Sequence, residues 1–329
     1  MSQPIWIAEA EVVRLMNLGE AIAALEKGLR MEARGEAENM VKTHVAWDHN
    51  NLHAIGAAFS GVGVVGTKTW AHTGDGTCPL LILFDAKNGS LKAVIEAFAL
   101  GQMRTGGICG VATNWLARED ATEMAIVGTG KQALAQIAAV AAVRPLRRVG
   151  VFSPRPESRS EFVRKARTEF DFDVVEARSV EEAVADAMIV TTVTRATQPF
   201  LTSHMLRAGA HVNAVGAITP DRAEIAQDLF PRCTTVAVDS LPAVQKLSSE
   251  FIEYYANKGW DRVKPLSAVL ASQTKRPSAA DLSMFKAMGM GISDLALGTE
   301  ILQRALSNGV GREIPQPQKA KPRLVGVAA

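Results

Sequence analysis

Hydrophobic and polar positions follow two different periods along the chain, and each period predicts its own kind of structure. The first part opens with apolar residues at helical spacing, Ala21, Ile22, Leu25 and Leu29, which predict an amphipathic helix. Short apolar runs follow, with little helical pattern between them. These runs predict strands at 41–47, 52–59, 62–71 and Leu80–Asp85. A mostly antiparallel sheet is therefore expected in this part of the chain.

Two further features complete the first part. Asn88 and Gly89 follow the fourth apolar run, and an Asn-Gly pair between apolar runs is typical of a β-hairpin. Residues 106–116 then predict a helix, so that Arg104 and Thr105 would directly precede it.

From Glu123 onward, short apolar strands alternate with helical patterns. The predicted strands are Glu123–Val127, Arg148–Phe152, Asp173–Glu176, 188–192, 211–215 and 234–239. The predicted helices between them are 132–143, 159–170 and 180–187. This alternation indicates βαβ units and a parallel sheet. Residues 284–306 predict one long helix, and a tail that carries Pro and Lys begins at Pro315.

Composition narrows the class of protein. At roughly 150 residues per domain, 329 residues suggest about two domains. The 36 Lys and Arg against 34 Asp and Glu leave a net charge of +2, which gives no whole-chain electrostatic case for nucleic acid. The apolar run 137–143 has seven residues, far fewer than the ~20 that span a membrane, and the N-terminus carries acids where a secretory signal needs an apolar core. Three widely spaced cysteines disfavour disulfides and structural zinc, so we expect a cytoplasmic enzyme or small-molecule binding protein without a metal site.

A glycine-rich turn between a predicted strand and a predicted helix carries the most specific local motif. The motif consists of Gly128, Thr129, Gly130, Lys131, Gln132 and Ala133. Two glycines allow a tight turn and a close approach of backbone N–H groups to a pyrophosphate, and the helix N-terminus offers its positive dipole end. An ordinary Gly-rich turn is the alternative, but the surrounding βαβ pattern favours dinucleotide binding.

The end of the next strand bears on which dinucleotide is bound. NAD-binding proteins usually carry an acid there, which accepts hydrogen bonds from the ribose 2′-OH. Here the strand ends at Ser153, and Glu157 lies beyond two prolines. Ser153 and Arg155 could bind a 2′-phosphate, which favours NADP(H) over NAD(H). Alternatively, Arg155 stacks on the adenine or lies in solvent.

Basic residues share faces of two predicted strands in the first part. Because residues two apart in a strand lie on one face, Lys68 is grouped with Trp70 and His72, and Lys42 with His44. Two such strands are consistent with an anion site, although a solvent-exposed sheet face would also tolerate lysine. Arg104 could bind a carboxylate with its planar fork, or pair with a surface acid.

With these segments established, the chain resembles the ornithine cyclodeaminase/mu-crystallin family over nearly its whole length. Six ordered stretches carry the resemblance, and together they are specific although each alone is weak. They are GTK at 66–68, LILFDAKNG at 81–89, MRTGG at 103–107, GTGKQA at 128–133, GAHVNAVG at 209–216, and 285–295 with its Phe-Lys and Ser-Asp pairs.

The resemblance implies an α/β fold of two domains with the substrate between them. A Rossmann-type doubly wound domain would cover 118–305, and an α+β substrate and dimerisation domain, built from both chain ends, would cover 1–117 and 306–329. The chain would form a homodimer. Lys68 and Arg104 would bind the substrate carboxylate, with Lys42 in place of an assisting arginine and Asp294 near a substrate nitrogen. The expected cofactor contacts include Thr105, Thr192, Val215 and Gly216.

One departure from the family pattern shapes the expected reaction. Cyclodeaminases carry a catalytic Asp just after the segment that matches Val215-Gly216-Ala217, where this chain has Ile218. Asp221 lies three residues later and beyond a proline, so it is expected to point elsewhere. An isoleucine cannot relay protons, which argues against ornithine cyclisation.

The expected activity is therefore NAD(P)H-dependent reduction of an α-imino acid, with hydride transfer to the α-carbon giving an amino acid. The additional cations Lys42, His44 and His72 suggest a second anionic group on the substrate, as in iminosuccinate, whose reduction gives aspartate. A cyclic ketimine would need fewer cations. The alternatives are a cyclodeaminase-type lyase with internally recycled NAD and a non-catalytic, NADP-linked binding protein.

Overall fold

The structure, a computed structural model, describes residues 3–277 and 279–324. Residues 1, 2 and 325–329 of the predicted two-ended domain, and residue 278 of the predicted Rossmann domain, lie outside the described residues. The strands are β1 (Ile5–Ile7), β2 (Ala37–Asn39), β3 (Thr43–Trp47), β4 (Asn50–Phe59), β5 (Val64–His72), β6 (Leu80–Asp85), β7 (Leu91–Glu96), β8 (Glu123–Val127), β9 (Arg148–Phe152), β10 (Asp173–Glu176), β11 (Ile189–Thr192), β12 (His211–Ala214), β13 (Cys233–Val238), β14 (Val263–Pro265), β15 (Leu282–Lys286) and β16 (Arg312–Glu313). The helices are α1 (Glu9–Leu15), α2 (Leu18–Ala33), α3 (Phe98–Leu116), α4 (Ala133–Ala141), α5 (Pro156–Glu169), α6 (Val180–Val184), α7 (Leu241–Leu247), α8 (Ser249–Tyr255), α9 (Leu266–Ala271) and α10 (Gly291–Ser307).

The first sheet is mixed and mostly antiparallel. Its order is β16-β1-β7-β6-β5-β4-β2, with β3 also paired to β4, and among the described strand pairs of this sheet only β1 and β7 run parallel. The turn predicted from Asn88 and Gly89 joins β6 to β7, with Gly89 at φ +72°, in the left-handed region that favours glycine. The core of this domain lies between the sheet and helices α2, α3 and α10.

The second sheet is wholly parallel. Its order is β10-β9-β8-β11-β12-β15-β13-β14. The first five strands follow the 3-2-1-4-5 order of dinucleotide-binding folds, with the order reversing beside β8. The α/β fold with a Rossmann-type sheet and a second domain is thus confirmed. Among the described residues, no helix combines the length and the apolar character that a membrane span needs.

The single long helix predicted at 284–306 is wrong in its first part. Leu282–Lys286 forms strand β15, fully buried between β12 and β13, and the helix begins only at Gly291. A short apolar run that is buried on every side has no polar face, so its period does not separate strand from helix. Gly289, at φ +88°, makes the turn between the two elements.

The chain passes back from the second sheet to the first between β15 and α10. Helix α10 packs on β4, β5, α2 and α3, which belong to the first sheet and its layer. The approach is so close that a Cβ at Gly291 would lie 1.8 Å from the carbonyl oxygen of Gly56. The chain therefore returns to the layer of the first sheet between Lys286 and Gly291, whereas the predicted domain boundary follows residue 305.

Helix α3 begins at Phe98, so the prediction that Arg104 and Thr105 precede a helix is wrong. The first backbone N–H groups of a helix lack partners within it. Here the carboxylate of Glu9, on α1, accepts hydrogen bonds from the N–H groups of Phe98 and Ala99. A cap supplied from about ninety positions away leaves no signal in the local sequence.

Candidate active site

Three side chains from distant parts of the chain meet at one buried point. Lys68 lies on β5, Arg104 on α3 and Asp294 in the first turn of α10. The Lys68 ammonium forms an ion pair with Oδ1 of Asp294, and Nε of Arg104 lies 3.5 Å from the same oxygen. Asp294 is 0% exposed and Lys68 is 3% exposed. These three residues, the charged centre, hold two cations around one carboxylate.

Two polar atoms of the charged centre are buried without a hydrogen bond to any described residue. They are Nε of Arg104 and Oδ2 of Asp294. Because buried polar groups are nearly always hydrogen bonded, such atoms call for a ligand or another explanation. A carboxylate would accept from Arg104, and a nitrogen that carries hydrogen would donate to Asp294. The arrangement therefore suits a small molecule that has both groups.

The Lys68 ammonium lies in an environment that favours loss of its proton. The pKa of Lys68 is lowered to about 8, chiefly by burial, because a charged group is poorly solvated there; Arg104 and Lys42 act in the same direction, while Asp294 opposes the shift. The indole of Trp70 lies 5.2 Å from Nζ. Lys68 is thus mostly protonated at neutral pH and can still release a proton to a bound base.

Lys42 belongs to the same electrostatic environment. Burial lowers its pKa, and Arg104 acts in the same direction, while Asp239 and Asp294 raise it. The two strands predicted to carry the basic face are not neighbours, since β4 lies between β3 and β5. Lys42 itself directly precedes β3.

A histidine that the sequence analysis missed connects the two parts of this basic face. His44, His53 and Trp70 lie side by side in register on β3, β4 and β5. Their rings stack, with centroids 5.6 Å apart for the histidine pair and 4.8 Å apart for His53 and Trp70. Burial lowers the pKa of His53, and so do Lys42, His44 and His72. Its buried Nδ1 has no hydrogen-bond partner in the described chain.

Asp239 is a second residue that the sequence analysis missed. It follows β13, is 3% exposed, and accepts hydrogen bonds from the N–H groups of Met288 at 2.9 Å and Gly289 at 2.7 Å. A Cβ at Gly289 would lie 2.9 Å from a terminal nitrogen of Arg104. Asp239 therefore fixes the turn that the Arg104 guanidinium contacts. Burial raises the pKa of Asp239. The sequence did contain one signal for Asp239, since it is an acid at the carboxyl end of a predicted strand.

The glycine-rich turn has the form of a phosphate cradle. Gly128 has φ +113°, and a Cβ there would lie 2.6 Å from the carbonyl oxygen of Val193. At Gly130 a Cβ would meet no described atom within 4 Å. Helix α4 begins directly after the turn, at the buried Ala133. The close contact at Gly128, the open space at Gly130 and the helix N-terminus fit the pyrophosphate of a dinucleotide.

The remaining turn residues and Thr105 lie around this cradle. Lys131 is exposed, whereas Thr129 and Gln132 are half-buried. Gln136 on α4 donates from its side-chain amide to the carbonyl oxygen of Thr105 at 3.2 Å, and so joins α3 to the helix that follows the turn. The Thr105 hydroxyl donates to Gly101 within α3 at 2.9 Å.

At the end of β9, the arginine that contacts Ser153 is Arg159, whereas the sequence analysis selected Arg155. Arg159 donates to the carbonyl oxygen of Ser153 at 2.9 Å and pairs with Glu176 at 3.3 Å. Ser153 is buried. Arg155 is exposed, at the start of α5, and no ion pair or side-chain hydrogen bond joins it to another described residue. Its guanidinium is therefore available to a ligand.

The end of β11 and the loop after β12 bring Thr192, Val215 and Gly216 together at the carboxyl edge of the parallel sheet, beside a buried Glu224 that the sequence analysis missed. Ile218 packs against the apolar core of this domain. Asp221 is exposed, and the neighbouring Thr219 side chain lowers its pKa.

Comparison with known proteins gives consistent matches over these elements. The profile of the ornithine cyclodeaminase/mu-crystallin family matches residues 4–309. A Delta(1)-pyrroline-2-carboxylate reductase of Bacillus cereus is 30% identical over 240 residues, 71% of this chain and 73% of the relative. The ketimine reductase mu-crystallin of Mus musculus is 32% identical over 215 residues, 65% and 66% of the two chains.

A solved structure extends the match to the whole fold. An archaeal alanine dehydrogenase dimer with bound NAD superposes with a TM-score of 0.86 at 25% identity, covering 95% of this chain and 99% of the other. The six motifs, the paired sheets and the family match agree with one another. The chain therefore belongs to the ornithine cyclodeaminase/mu-crystallin family.

Proposed function

We propose that this protein is an NAD(P)H-dependent reductase that converts an α-imino acid into an amino acid. The observation that carries the proposal is the pair of unsatisfied atoms in the charged centre, Nε of Arg104 and Oδ2 of Asp294. An α-imino acid offers a carboxylate for the first and a nitrogen for the second. The relatives support the reaction class, since they are similar to this chain and are named as reductases of pyrroline-2-carboxylate and ketimines.

Arg104 would bind the α-carboxylate with two parallel hydrogen bonds, which fix the plane of the adjacent C=N bond. Lys68 would supply the proton that the nitrogen gains on reduction, since its ammonium is buried and its lowered pKa of about 8 eases release. Asp294 would orient the nitrogen and stabilise the ammonium before transfer.

A nicotinamide cofactor fits the second domain by the shape of its turn. Gly128, Gly130 and the N-terminus of α4 would hold the pyrophosphate, with Thr192, Val215 and Gly216 beside the nicotinamide half. When bound, this cofactor supplies the hydride that reaches the α-carbon. We propose a preference for NADP(H), because the end of β9 lacks an acid and Arg155 is free to contact a 2′-phosphate.

The substrate would carry a second anionic group. The support is the surplus of cations beside the charged centre, where Lys42, His44 and His72 accompany the stacked His53. The three other groups that act on the pKa of His53 are all basic, so an incoming anion would relieve their mutual repulsion. A dicarboxylic imine such as iminosuccinate, whose reduction gives aspartate, has this chemistry.

Dimerisation would use the outer face of the first sheet. Val45 and Leu52 pair across β3 and β4, and both are exposed, as are Val41 and Trp47. A contiguous apolar face of this kind is typical of an interface. The archaeal alanine dehydrogenase that this chain resembles is a dimer, which supports the same assembly.

The test is to follow the absorbance of NADPH and of NADH while the protein meets oxo acids with ammonia, and Delta(1)-pyrroline-2-carboxylate. We expect oxidation of the cofactor, faster with oxaloacetate and ammonia than with the monoanionic pyruvate and ammonia. Faster turnover of pyruvate would contradict the second anionic group. Ammonia and a cyclic amino acid formed from ornithine, with no net change in cofactor, would support a lyase. Cofactor binding with no turnover on the panel would support a binding protein.

A further inference from the structure

One buried carboxylate holds two loops at the carboxyl edge of the parallel sheet. Glu224 is 0% exposed. Its Oε1 accepts the N–H of Thr194 at 2.6 Å. Its Oε2 accepts the hydroxyl of Thr192 at 2.9 Å and the N–H groups of Gly216 at 2.8 Å and Ala217 at 3.3 Å. Four donors, from the last residue of β11 and from the loops after β11 and β12, therefore converge on a single side chain.

A second buried carboxylate holds Glu224 itself in place. Glu250 accepts the backbone N–H groups of Glu224 at 2.6 Å and Ile225 at 2.8 Å. Its other oxygen receives the Lys286 ammonium at 3.1 Å, and these two side chains are 1% and 0% exposed. Because Lys286 is the last residue of β15, the carboxylate pair is anchored to the sheet. We call Glu224, Glu250 and Lys286 the carboxylate clamp.

The two loops touch at a point where no side chain fits. A Cβ at Gly216 would lie 2.2 Å from the carbonyl oxygen of Thr194 and 2.4 Å from Oε1 of Glu224. Carbon and oxygen cannot approach so closely, which leaves glycine as the residue that permits the contact. The loop after β12 therefore lies directly against the loop after β11.

The strand order indicates what these loops contact. In a sheet of this order the dinucleotide lies across the carboxyl edge where the order reverses, beside β8. The turn at Gly128 and the end of β9 lie on the side that takes the pyrophosphate and the adenosine. The loops after β11 and β12 lie on the other side, where the nicotinamide half would extend.

We propose that Glu224 is a positioning residue for the nicotinamide half of the cofactor, an inference that rests on the proposed function. It contacts no reacting atom in this proposal. Its carboxylate accepts four hydrogen bonds and so fixes the surface against which the ring is held. Glutamine at this position would turn one acceptor oxygen into an NH₂ group that faces N–H donors, and one loop would have to move.

The experiment compares two ligands that differ in the nicotinamide. ADP-ribose has the adenosine half and the pyrophosphate, whereas NADH and NADPH also have the ring. In Glu224→Gln we expect the Kd of the reduced dinucleotides to rise about tenfold or more, the scale of lost hydrogen bonds to a charged group, while the Kd of ADP-ribose changes less than twofold. Thr192→Val, which removes one donor and leaves the carboxylate, should raise the dinucleotide Kd about three- to tenfold.

Glu9→Gln is the matched control, because Glu9 also caps backbone N–H groups but lies on α1, far from these loops in the chain. We expect it to lower the melting temperature and to leave both ligands unaffected. Equal weakening of ADP-ribose and dinucleotide in Glu224→Gln and Thr192→Val would overturn the inference, as would unchanged binding of both.

Failure of the proposed function has a separate signature. Wild-type protein that binds NADH but reduces no imine would overturn the proposed reaction and leave the positioning result readable from binding alone. Wild-type protein that binds no nicotinamide dinucleotide would overturn both.

Discussion

The charged centre and the carboxylate clamp are both buried clusters of acids and bases, yet they differ in one respect. In the clamp, Glu224 accepts four hydrogen bonds and Glu250 is held by Lys286 and two backbone N–H groups. In the charged centre, Asp294 and Arg104 each keep a buried polar atom without a hydrogen bond to any described residue. Saturated groups hold a backbone in one place, whereas unsatisfied groups retain affinity for a ligand.

The largest difference between the two clusters should follow from Lys68→Met. We expect kcat for imine reduction to fall about 10²- to 10⁴-fold, the scale of general acid catalysis. In wild type, kcat should decrease as the pH rises through about 8, since only the protonated Lys68 donates, and the variant should lack this limb. Steady-state kinetics across pH measures both. A variant with unchanged kcat at saturating substrate would restrict Lys68 to binding.

The corresponding lysine substitution in the carboxylate clamp, Lys286→Met, should lower the free energy of unfolding. Lys286→Met leaves Glu250 buried without its counter-ion, and breaking a buried pair in this way costs about 3–5 kcal/mol. Lys68→Met should cost less, because Arg104 still lies 3.5 Å from Asp294. Denaturant unfolding of both variants tests the order. Equal losses of unfolding free energy would remove the distinction between the two clusters.

A charge-conserving change probes the geometry of the charged centre. Arg104→Lys keeps the positive charge and removes the planar fork, so KM for the imino acid should rise about 10- to 150-fold, equivalent to about 1.5–3 kcal/mol. The Kd of the cofactor should stay the same. An unchanged KM, measured at saturating cofactor, would mean that Arg104 does not bind the carboxylate.

The smallest effect should come from a residue outside both clusters. Arg155 is exposed, so its contact with a 2′-phosphate is weakened by solvent. Arg155→Ala should raise the Kd of NADPH several-fold, up to about tenfold, and leave that of NADH unchanged. Fluorescence titration with both cofactors measures the ratio. Equal losses, or tighter binding of NADH by wild type, would contradict the NADP(H) preference.

The sequence predicted more of the charged centre than of its surroundings. Lys68 and Arg104 could be selected from strand spacing and family motifs, and Asp294 from its motif alone. His53 was missed because it lies on β4, a strand whose faces were not considered, where it stacks between His44 and Trp70. Asp239 and Glu224 were missed because each binds backbone N–H groups of neighbouring loops, and such partners are set by tertiary contacts rather than by a local pattern.

The fold shows the same difference between elements set by local patterns and elements set by tertiary contacts. The alternating strands of the second domain were predictable because short βαβ connections make local patterns decisive. The start of α3 was not, since Glu9 caps it from another part of the chain. Strand β15, Leu282–Lys286, was not predictable either, because complete burial removes the contrast between polar and apolar faces.

The return of α10 to the first sheet has a consequence for biosynthesis. Lys68 and Asp294 are 226 positions apart, with the whole parallel sheet between them in the chain. As the chain leaves the ribosome, the first sheet and α2 must wait for α10, with the apolar surface that meets Ile292 and Ala296 still open. Any nascent chain that stops before residue 291 lacks both this cover and the carboxylate of the charged centre. Complete synthesis is thus a condition for activity, and prematurely terminated chains would be inert and prone to aggregate.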